Sequence, residues 1–244
     1  MTIRTTLDRG TGIAIWRQIM EWLKAEIASG AFEKGSRLPP ESEIAARFGV
    51  NRHTVRRAIA ALTAEGVLRA DQGRGTFVAA APITYPITSR TRFSEIVSGQ
   101  DKAPSGRLIG SGTEEADALL ANWLKVPIGT LLIRIENLRV ADGVPVMIGT
   151  SWFEQSRFPN LVADYAETGS ITKALAKAGV SDYRRKESRV TAELVEPQDV
   201  AVLGIASGQP ILVVESLNLD ADGEPMQYTR TRMAADRIQL VVES

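Results

Sequence analysis

The fold class predicted by the sequence is α+β: a small helical N-terminal part closed by a two-stranded ribbon, then one antiparallel sheet carrying helices. Three observations predict it. Residues 39–48 and 52–62 place apolar side chains at helical spacing on either side of Gly49-Val50-Asn51, as two short helices joined by a tight turn would. Val67-Leu68-Arg69 and Thr76-Phe77-Val78 flank Asp71-Gln72-Gly73-Arg74-Gly75, a ribbon with a glycine-rich tip. Residues 114–153 and 196–233 repeat one plan at an offset of 80, which pairs Asp142-Gly143 with Asp222-Gly223 and Pro145 with Pro225. The first two observations together outline a winged helix-turn-helix.

Taken in order, residues 1–10 read as loosely structured, and Thr11-Gly12 opens a helix with Ile15, Ile19, Leu23 and Ile27 recurring every four residues. Trp16, Met20 and Trp22 add bulk, Ser29-Gly30 stops the helix, and Phe32 packs back on it. Pro39 and Pro40 suit a first helical turn, whose amides have no partner, and Glu41 and Glu43 suit its positive dipole end. Ile44, Ala45 and Phe48 are the buried face, and Gly49 ends the helix. Asn51 caps the next helix, which buries Val55, Ala58, Ile59 and Leu62 and leaves Arg52, His53, Thr54, Arg56 and Arg57 on its outer side and first turn. A cationic, polar helix start is what a DNA major groove accepts. The Gly-Arg-Gly tip suits close backbone approach to phosphate or to a narrow groove.

Residues 79–86, with small side chains and two prolines, read as an extended linker, so the domains expected are 1–78, the linker 79–86, and 87–244. In the second domain each repeat reads as an apolar helix, a glycine turn, a strand, Ala-Asp-Gly and a return strand. Two such units build one antiparallel sheet with helices on one face. Between them Ser170–Gly179 is a short capped helix, and Tyr183–Val195 is a further strand carrying Arg184, Arg185, Lys186 and Arg189.

The 244-residue chain has no net formal charge, but the charge is uneven. Through Val78 there are 12 Lys and Arg against 8 Asp and Glu; the remainder holds 17 against 21. A basic module followed by an acidic one is the asymmetry expected when only the first meets phosphate. Cysteine is absent, which excludes disulfides and thiolate chemistry, and no apolar run has the length of a membrane span. A cytoplasmic protein without membrane contact is the expectation.

Leu38-Pro39-Pro40-Glu41, then residues 49–58 (GVNRHTVRRA) and Gly73-Arg74-Gly75-Thr76-Phe77-Val78 resemble the DNA-binding domain of the GntR superfamily of bacterial transcription regulators. By that resemblance Ser42, Asn51, Arg52, His53, Thr54, Arg56, Gln72, Gly73 and Arg74 touch double-stranded operator DNA. The second domain is similar to the effector-binding (UTRA) domain of the HutC subfamily, which shares its fold with chorismate lyase. Thr91-Arg92-Phe93-Ser94, residues 138–145 (LRVADGVP), Arg184-Arg185 with Arg189, and Tyr228 look most like the PhnF-like regulators of phosphonate utilisation. Sugar-phosphate-sensing relatives carry an arginine and a glutamate where this chain has Asn137 and Gly149.

Candidate effector residues are Arg92, Phe93, Ser94, Ser151, Arg184, Arg189, Tyr228 and Arg230. Residues 91–94 stand before an apparent helix, Ser94 to Val97, where they form either an anion nest or a capping segment with Arg92 solvated. Strand alternation puts Tyr228, Arg230 and Arg232 on one face, where the first repeat has Ile148, Thr150 and Trp152; such a face is a pocket, an interface or solvent-facing. Arginines beside the hydroxyls of Ser94, Ser151 and Tyr228 suit a phosphonate, phosphate or sugar phosphate, because guanidinium forks match tetrahedral oxyanions. The function expected is a ligand-responsive repressor acting as a homodimer on a pseudo-palindromic operator. The rival is a small-molecule enzyme of the chorismate lyase-like fold. Against it, the single histidine, His53, lies in the first domain, so the usual base, nucleophile and metal ligands are missing from the second. No catalytic residue, metal or cofactor is expected.

Overall fold

The computed structural model describes Leu7, residues 12–71 and residues 73–242. The loose segment expected over residues 1–10 therefore lies outside the described residues apart from Leu7, as do Thr11 and the wing residue Gln72. The chain divides into two compact units, the first comprising the residues up to Ala81 with Gly204–Ala206, the second Pro82–Leu203 and the residues from Ser207 onward.

In the first unit the four-residue apolar stripe produces α1 (Ile15–Ala28), which buries Ile19, Trp22 and Leu23. Phe32 and Phe48 meet Trp22 edge-on, with ring centroids 6.1 and 4.9 Å away. Next come α2 (Glu41–Phe48) and α3 (Arg52–Ala64). Pro40 is the N-cap of α2 rather than its first helical residue, with ψ at 146°. Gly49 adopts φ +60°, the left-handed C-cap that turns the chain into α3. Asn51 caps α3 by accepting a hydrogen bond from the His53 amide at 2.9 Å. The ribbon is β1 (Leu68–Asp71) paired antiparallel with β2 (Gly75–Val78). Val55, Ala58, Ile59 and Leu62 of α3 join Leu68 and Val78 of the ribbon in one core with α1 and α2.

The second unit begins earlier than the sequence suggests. Ile83–Pro86 is a strand, β3, paired in parallel with β10 (Ile238–Val241), so the linker expected over 79–86 ends before Ile83. That pairing joins opposite ends of the unit, and no local pattern announces it. The elements between are α4 (Phe93–Ser98), β4 (Pro104–Glu115), α5 (Ala118–Leu124), β5 (Leu131–Ala141), β6 (Val144–Glu154), α6 (Leu161–Thr168), α7 (Ile171–Lys177), β7 (Arg184–Leu194), α8 (Pro197–Leu203), β8 (Pro210–Leu219) and β9 (Pro225–Ala234). Six strands form one antiparallel sheet in the order β4-β5-β6-β9-β8-β7.

The repeat is visible in that order. The two hairpins, β5-β6 and β8-β9, meet along β6 and β9, and Thr150 pairs directly with Arg230, its own counterpart at the offset of 80. The internal two-fold axis therefore passes through that pair. The first hairpin turns through Asp142 and Gly143, both at positive φ (48° and 74°), the two-residue turn that Asp-Gly favours. The second is longer: Asp220 Oδ1 accepts from the amides of Asp222 and Glu224, and only Gly223 has positive φ.

Helices cover both faces of the sheet, not one. Strand alternation puts Leu132 and Trp152 on one side and Ile133, Ile135 and Phe153 on the other. The first group packs with α5 and the second with α6 and α7. On the α5 side α8 also docks, through Asp199 and Arg232. The α5 cap is the plainest local bond here: Asp117 Oδ1 accepts from the Leu120 amide at 2.8 Å. Asp117→Ala is expected to cost the second unit about 1 kcal/mol, read as a small drop in its denaturant midpoint; an unchanged midpoint would remove the cap from the account. Among the described residues no helix is long and apolar enough to cross a membrane.

Candidate nucleic-acid interface and effector pocket

The first turns of α3 present Arg52, His53 and Arg56 exposed, with Asn51 and Ser42 exposed beside them and Thr54 half-buried. The reason is the helical period: Val55, Ala58 and Ile59 are drawn into the core, so the positions between them face outward. Arg56 is not loose. Its Nε and Nη2 donate to the Glu41 carboxylate at 2.8–3.2 Å, and Arg52 lies 3.9 Å from the same group. The Arg56 hydrogen bonds hold the Glu41 carboxyl below its ordinary value despite partial burial. Arg57 and Arg47 are used otherwise: their guanidinium groups stack over Trp16 and Trp22 at 4.6 Å. At the wing, Gly73 and Arg74 are exposed. Gly75 has φ +112°, and a Cβ there would come within 2.7 Å of Arg37 Nε. The wing base is fixed by Arg69, which bonds Asp71 at 2.8 Å and lies over Phe77.

The second unit contains a pocket of about 630 Å³ on the α4, α6 and α7 side of the sheet. Of the residues expected to bind effector, Arg92, Phe93, Ser94 and Ser151 line it. Phe93 does so as a mostly buried ring beneath Arg139, whose guanidinium lies 5.6 Å from its centroid. Arg92 bonds Glu95 at 3.3 Å and Asp182 at 3.4 Å and lies over Tyr183, whose hydroxyl is 2.9 Å from Thr172 Oγ1.

The other four do not line this pocket. Tyr228 and Arg230 do share a face, but it is the opposite one. Tyr228 is stacked between Trp123 and Trp152, with centroids 5.0 and 5.3 Å away, and its hydroxyl donates to Glu215. Burial and that carboxylate push its pKa well above the ordinary phenol value. Arg230 is paired with Glu193 at 2.8 Å, and Arg232 is held between Asp199 and Glu136. The cationic face is thus an internally neutralised layer under α5 and α8. Arg189 belongs to that side, 4.4 Å over Trp123 and bonded to Glu187. Arg184 is exposed beside Ser89 and Asp182 instead.

What the pocket holds in their place is Arg185, Arg139 and, at its exposed edge, Lys173. Alternation explains the swap: Arg185 stands opposite Asn218, and Arg184 opposite Leu219, which belongs to the α5 core. Neither Arg185 nor Arg139 has a carboxylate partner among the described residues, and Arg185 Nε is buried with no acceptor. Burial pulls the Arg185 pKa below its ordinary value, against the pull of Tyr85 and Tyr183. A desolvated guanidinium without a counter-ion is expensive unless an anion arrives from outside. No group of acidic or histidine side chains among the described residues is arranged to hold a metal ion.

Comparison with known proteins places both units. Residues 16–78 match the family described as bacterial regulatory proteins, gntR family, and residues 99–239 match the UTRA domain. The chain is 38% identical over 243 residues to an uncharacterized HTH-type transcriptional regulator of Rhizobium meliloti, covering 99% of this chain and 100% of the relative. It is 31% identical over 211 residues to the probable transcriptional regulator PhnF of Escherichia coli, covering 86% and 87%. The crystal structure of PhnF from Mycobacterium smegmatis superposes with a TM-score of 0.66 at 24% identity over 93% of this chain and 98% of that one, which shows the fold. Such regulators bind operator DNA through the helix-turn-helix and small-molecule effectors through the UTRA domain. The paired hairpins of the second unit, the winged N-terminal unit and these matches identify the chain as a member of the GntR family of transcriptional regulators, HutC-type and PhnF-like, a DNA-binding protein and not an enzyme.

Proposed function

We propose that the chain is a homodimeric repressor whose operator affinity is set by a small oxyanion, a phosphonate, phosphate or sugar phosphate, bound in the pocket of the second unit. On the DNA side the reading is supported by the exposed Arg52, His53 and Arg56 at the start of α3, with Gly73 and Arg74 on the wing. Ser42, Asn51 and Thr54 flank them as further contacts, and a helix start of this chemistry reads base edges while neighbouring donors fix phosphates. Two copies would set their recognition helices about one helical turn of DNA apart on a pseudo-palindrome. Ligand binding then changes operator affinity through a coupling of roughly 1–3 kcal/mol.

The observation that carries the effector reading is Arg185: a half-buried side chain lining the pocket, its Nε buried without an acceptor and with no carboxylate among the described residues to balance it. Arg139 stands in the same pocket, also without a carboxylate, and Arg92 reaches it from the start of α4. Guanidinium groups converging on one cavity are how proteins hold tetrahedral oxyanions.

Arg185→Met is expected to weaken oxyanion binding by roughly tenfold or more while leaving the second unit as stable as before, because the variant removes a desolvated charge and keeps the volume. Calorimetric titration with phosphate and phosphonates, beside a thermal melt, checks both halves. A variant that binds oxyanions like the parent would remove Arg185 from the site, and a parent that binds none would remove the oxyanion reading.

A further inference from the structure

Several cations of the first unit are committed within it. Lys24 pairs with Glu65 at 2.7 Å and Arg69 with Asp71 at 2.8 Å, while Arg47 and Arg57 lie over tryptophan rings. Arg37 is exposed and has no carboxylate or ring partner among the described residues. Its place is nevertheless fixed by the backbone. The Gly35 amide donates to Val78 O at 3.0 Å, the Val78 amide to Ser36 O at 2.9 Å and the Leu38 amide to Thr76 O at 2.8 Å. Residues 35–38 therefore run antiparallel beside β2, with Arg37 opposite Phe77.

Strand alternation gives that position its direction. Leu68 and Val78 pair with each other and belong to the core, so the neighbouring row of Arg69, Phe77 and Arg37 faces away from it. Gly75 is on the same face as Phe77, and Arg37 leans over it: a Cβ there would meet Nε, Nη2 and Cζ of Arg37 at 2.7, 3.1 and 3.3 Å. The missing side chain is the seat of the guanidinium. Asp71 shares this face but is taken up by Arg69, so the charge of Arg37 is left unbalanced. Gly75 and Asp71 are the last pair of the ribbon before its tip, which sets Arg37 back from Gly73 and Arg74. In the other direction the chain runs through Leu38, Pro39 and Pro40 to Glu41, which holds Arg56. Arg37 thus stands in the segment that joins the wing to the start of the recognition helix.

We infer that Arg37 is a further DNA-contacting residue, which grips the phosphate rim of the groove that the wing tip enters and adds affinity without sequence preference. Its position decides for phosphate over base. A guanidinium set back from the tip meets the rim of a groove, where contacts fix register, while base edges are read by the side chains that reach further in. The inference rests on the DNA reading of the first unit and adds to it a residue outside the recognition helix and the tip.

The test is fluorescence anisotropy of the full chain on two labelled duplexes, one of mixed sequence and one recovered by selection with the protein, each titrated at a series of salt concentrations. Arg37→Gln is expected to weaken binding to both by the same factor, and to reduce the slope of log affinity against log salt by about 0.9 for each copy bound. Arg37→Lys keeps the charge and gives up the flat contact with Gly75, so it should keep the slope of the parent. Thermal melts of the same preparations establish that the variants are folded; should Arg37→Gln fail to fold, Arg37→Met, whose stem still covers Gly75, takes its place. An undiminished slope in the neutral variant, a reduced slope in Arg37→Lys, or a loss confined to the selected duplex overturns the inference and leaves the DNA reading standing. If the parent binds neither duplex, that reading falls and the inference with it.

Discussion

Arg56→Ala is expected to abolish operator binding while the first unit stays folded. Arg56 is exposed on the second turn of α3, and the core of the unit is built from Val55, Ala58, Ile59 and Leu62 on the other side of the helix, so truncation empties no cavity. What it removes is a guanidinium already oriented. Glu41 occupies its Nε and Nη2 edge and leaves Nη1 to point away from the pair. An arginine held in this way presents donors to a guanine edge or a phosphate with little further ordering. Loss of one such contact weakens a half-site by roughly ten- to a hundredfold, and in a dimer both half-sites lose it at once. Gel-shift titration at physiological salt, with circular dichroism on the same preparation, reads the effect. Arg56→Lys, which keeps the charge and loses the fork, should retain non-specific binding and lose operator preference. Unchanged operator affinity for Arg56→Ala would take this residue out of the interface.

Arg232→Met is expected to destabilise the second unit by about 3–5 kcal/mol, the cost of breaking a buried ion pair and stranding its partners. Arg232 is 7% exposed and donates from Nη1 to both Asp199 oxygens at 3.0 Å. Its Nη2 donates to Glu136 at 2.5 Å and to Thr150 at 3.2 Å. One side chain therefore ties α8 to β5, β6 and β9. Without it two carboxylates face one another under α8, and Asp199 is already raised from its ordinary 3.8 because burial outweighs the attraction of Arg232. A carboxyl with a raised folded pKa binds its proton more tightly in the folded chain than in the unfolded one. The deficit in the variant is thus smallest in acid, where both states are protonated, and grows as pH rises until the folded carboxyls have ionised. Denaturant melts at a series of pH values would show it. A variant whose stability matches the parent at neutral pH would mean that the cluster contributes no net stability.

The same cluster explains what the sequence could and could not show. Features written within a few residues of chain were legible: Gly49 and Asn51 between two apolar stripes, the Gly-Arg-Gly tip, and the Asp142-Gly143 turn all carry their conformation locally. The repeat was legible because its two copies keep the same turn and proline. Alternation correctly grouped Tyr228, Arg230 and Arg232 on one face, but it cannot say which face is covered. With α5 and α8 on that side, Glu193, Glu136 and Asp199 neutralise the two arginines, and Glu215 accepts from the Tyr228 hydroxyl. Arg185 is one of three consecutive cations in its strand, and only its pairing with Asn218 shows that it is the one facing the pocket. Strand β4, with its serines and glycines, and the parallel pairing of β3 with β10 depend on partners far along the chain, and nothing in their own residues signals them.

The central claim is that the arginine-bearing start of α3 and the wing read duplex DNA under the control of an oxyanion held in the second unit. It is tested most directly by selecting duplex fragments from a random pool with the purified chain, with and without the oxyanion that binds it. The account predicts enrichment of a two-half-site motif by the parent, none by a variant lacking Arg52 and Arg56, and a shift in enrichment when the oxyanion is present. Enrichment of the same motif by that variant, or by the parent regardless of ligand, would contradict it.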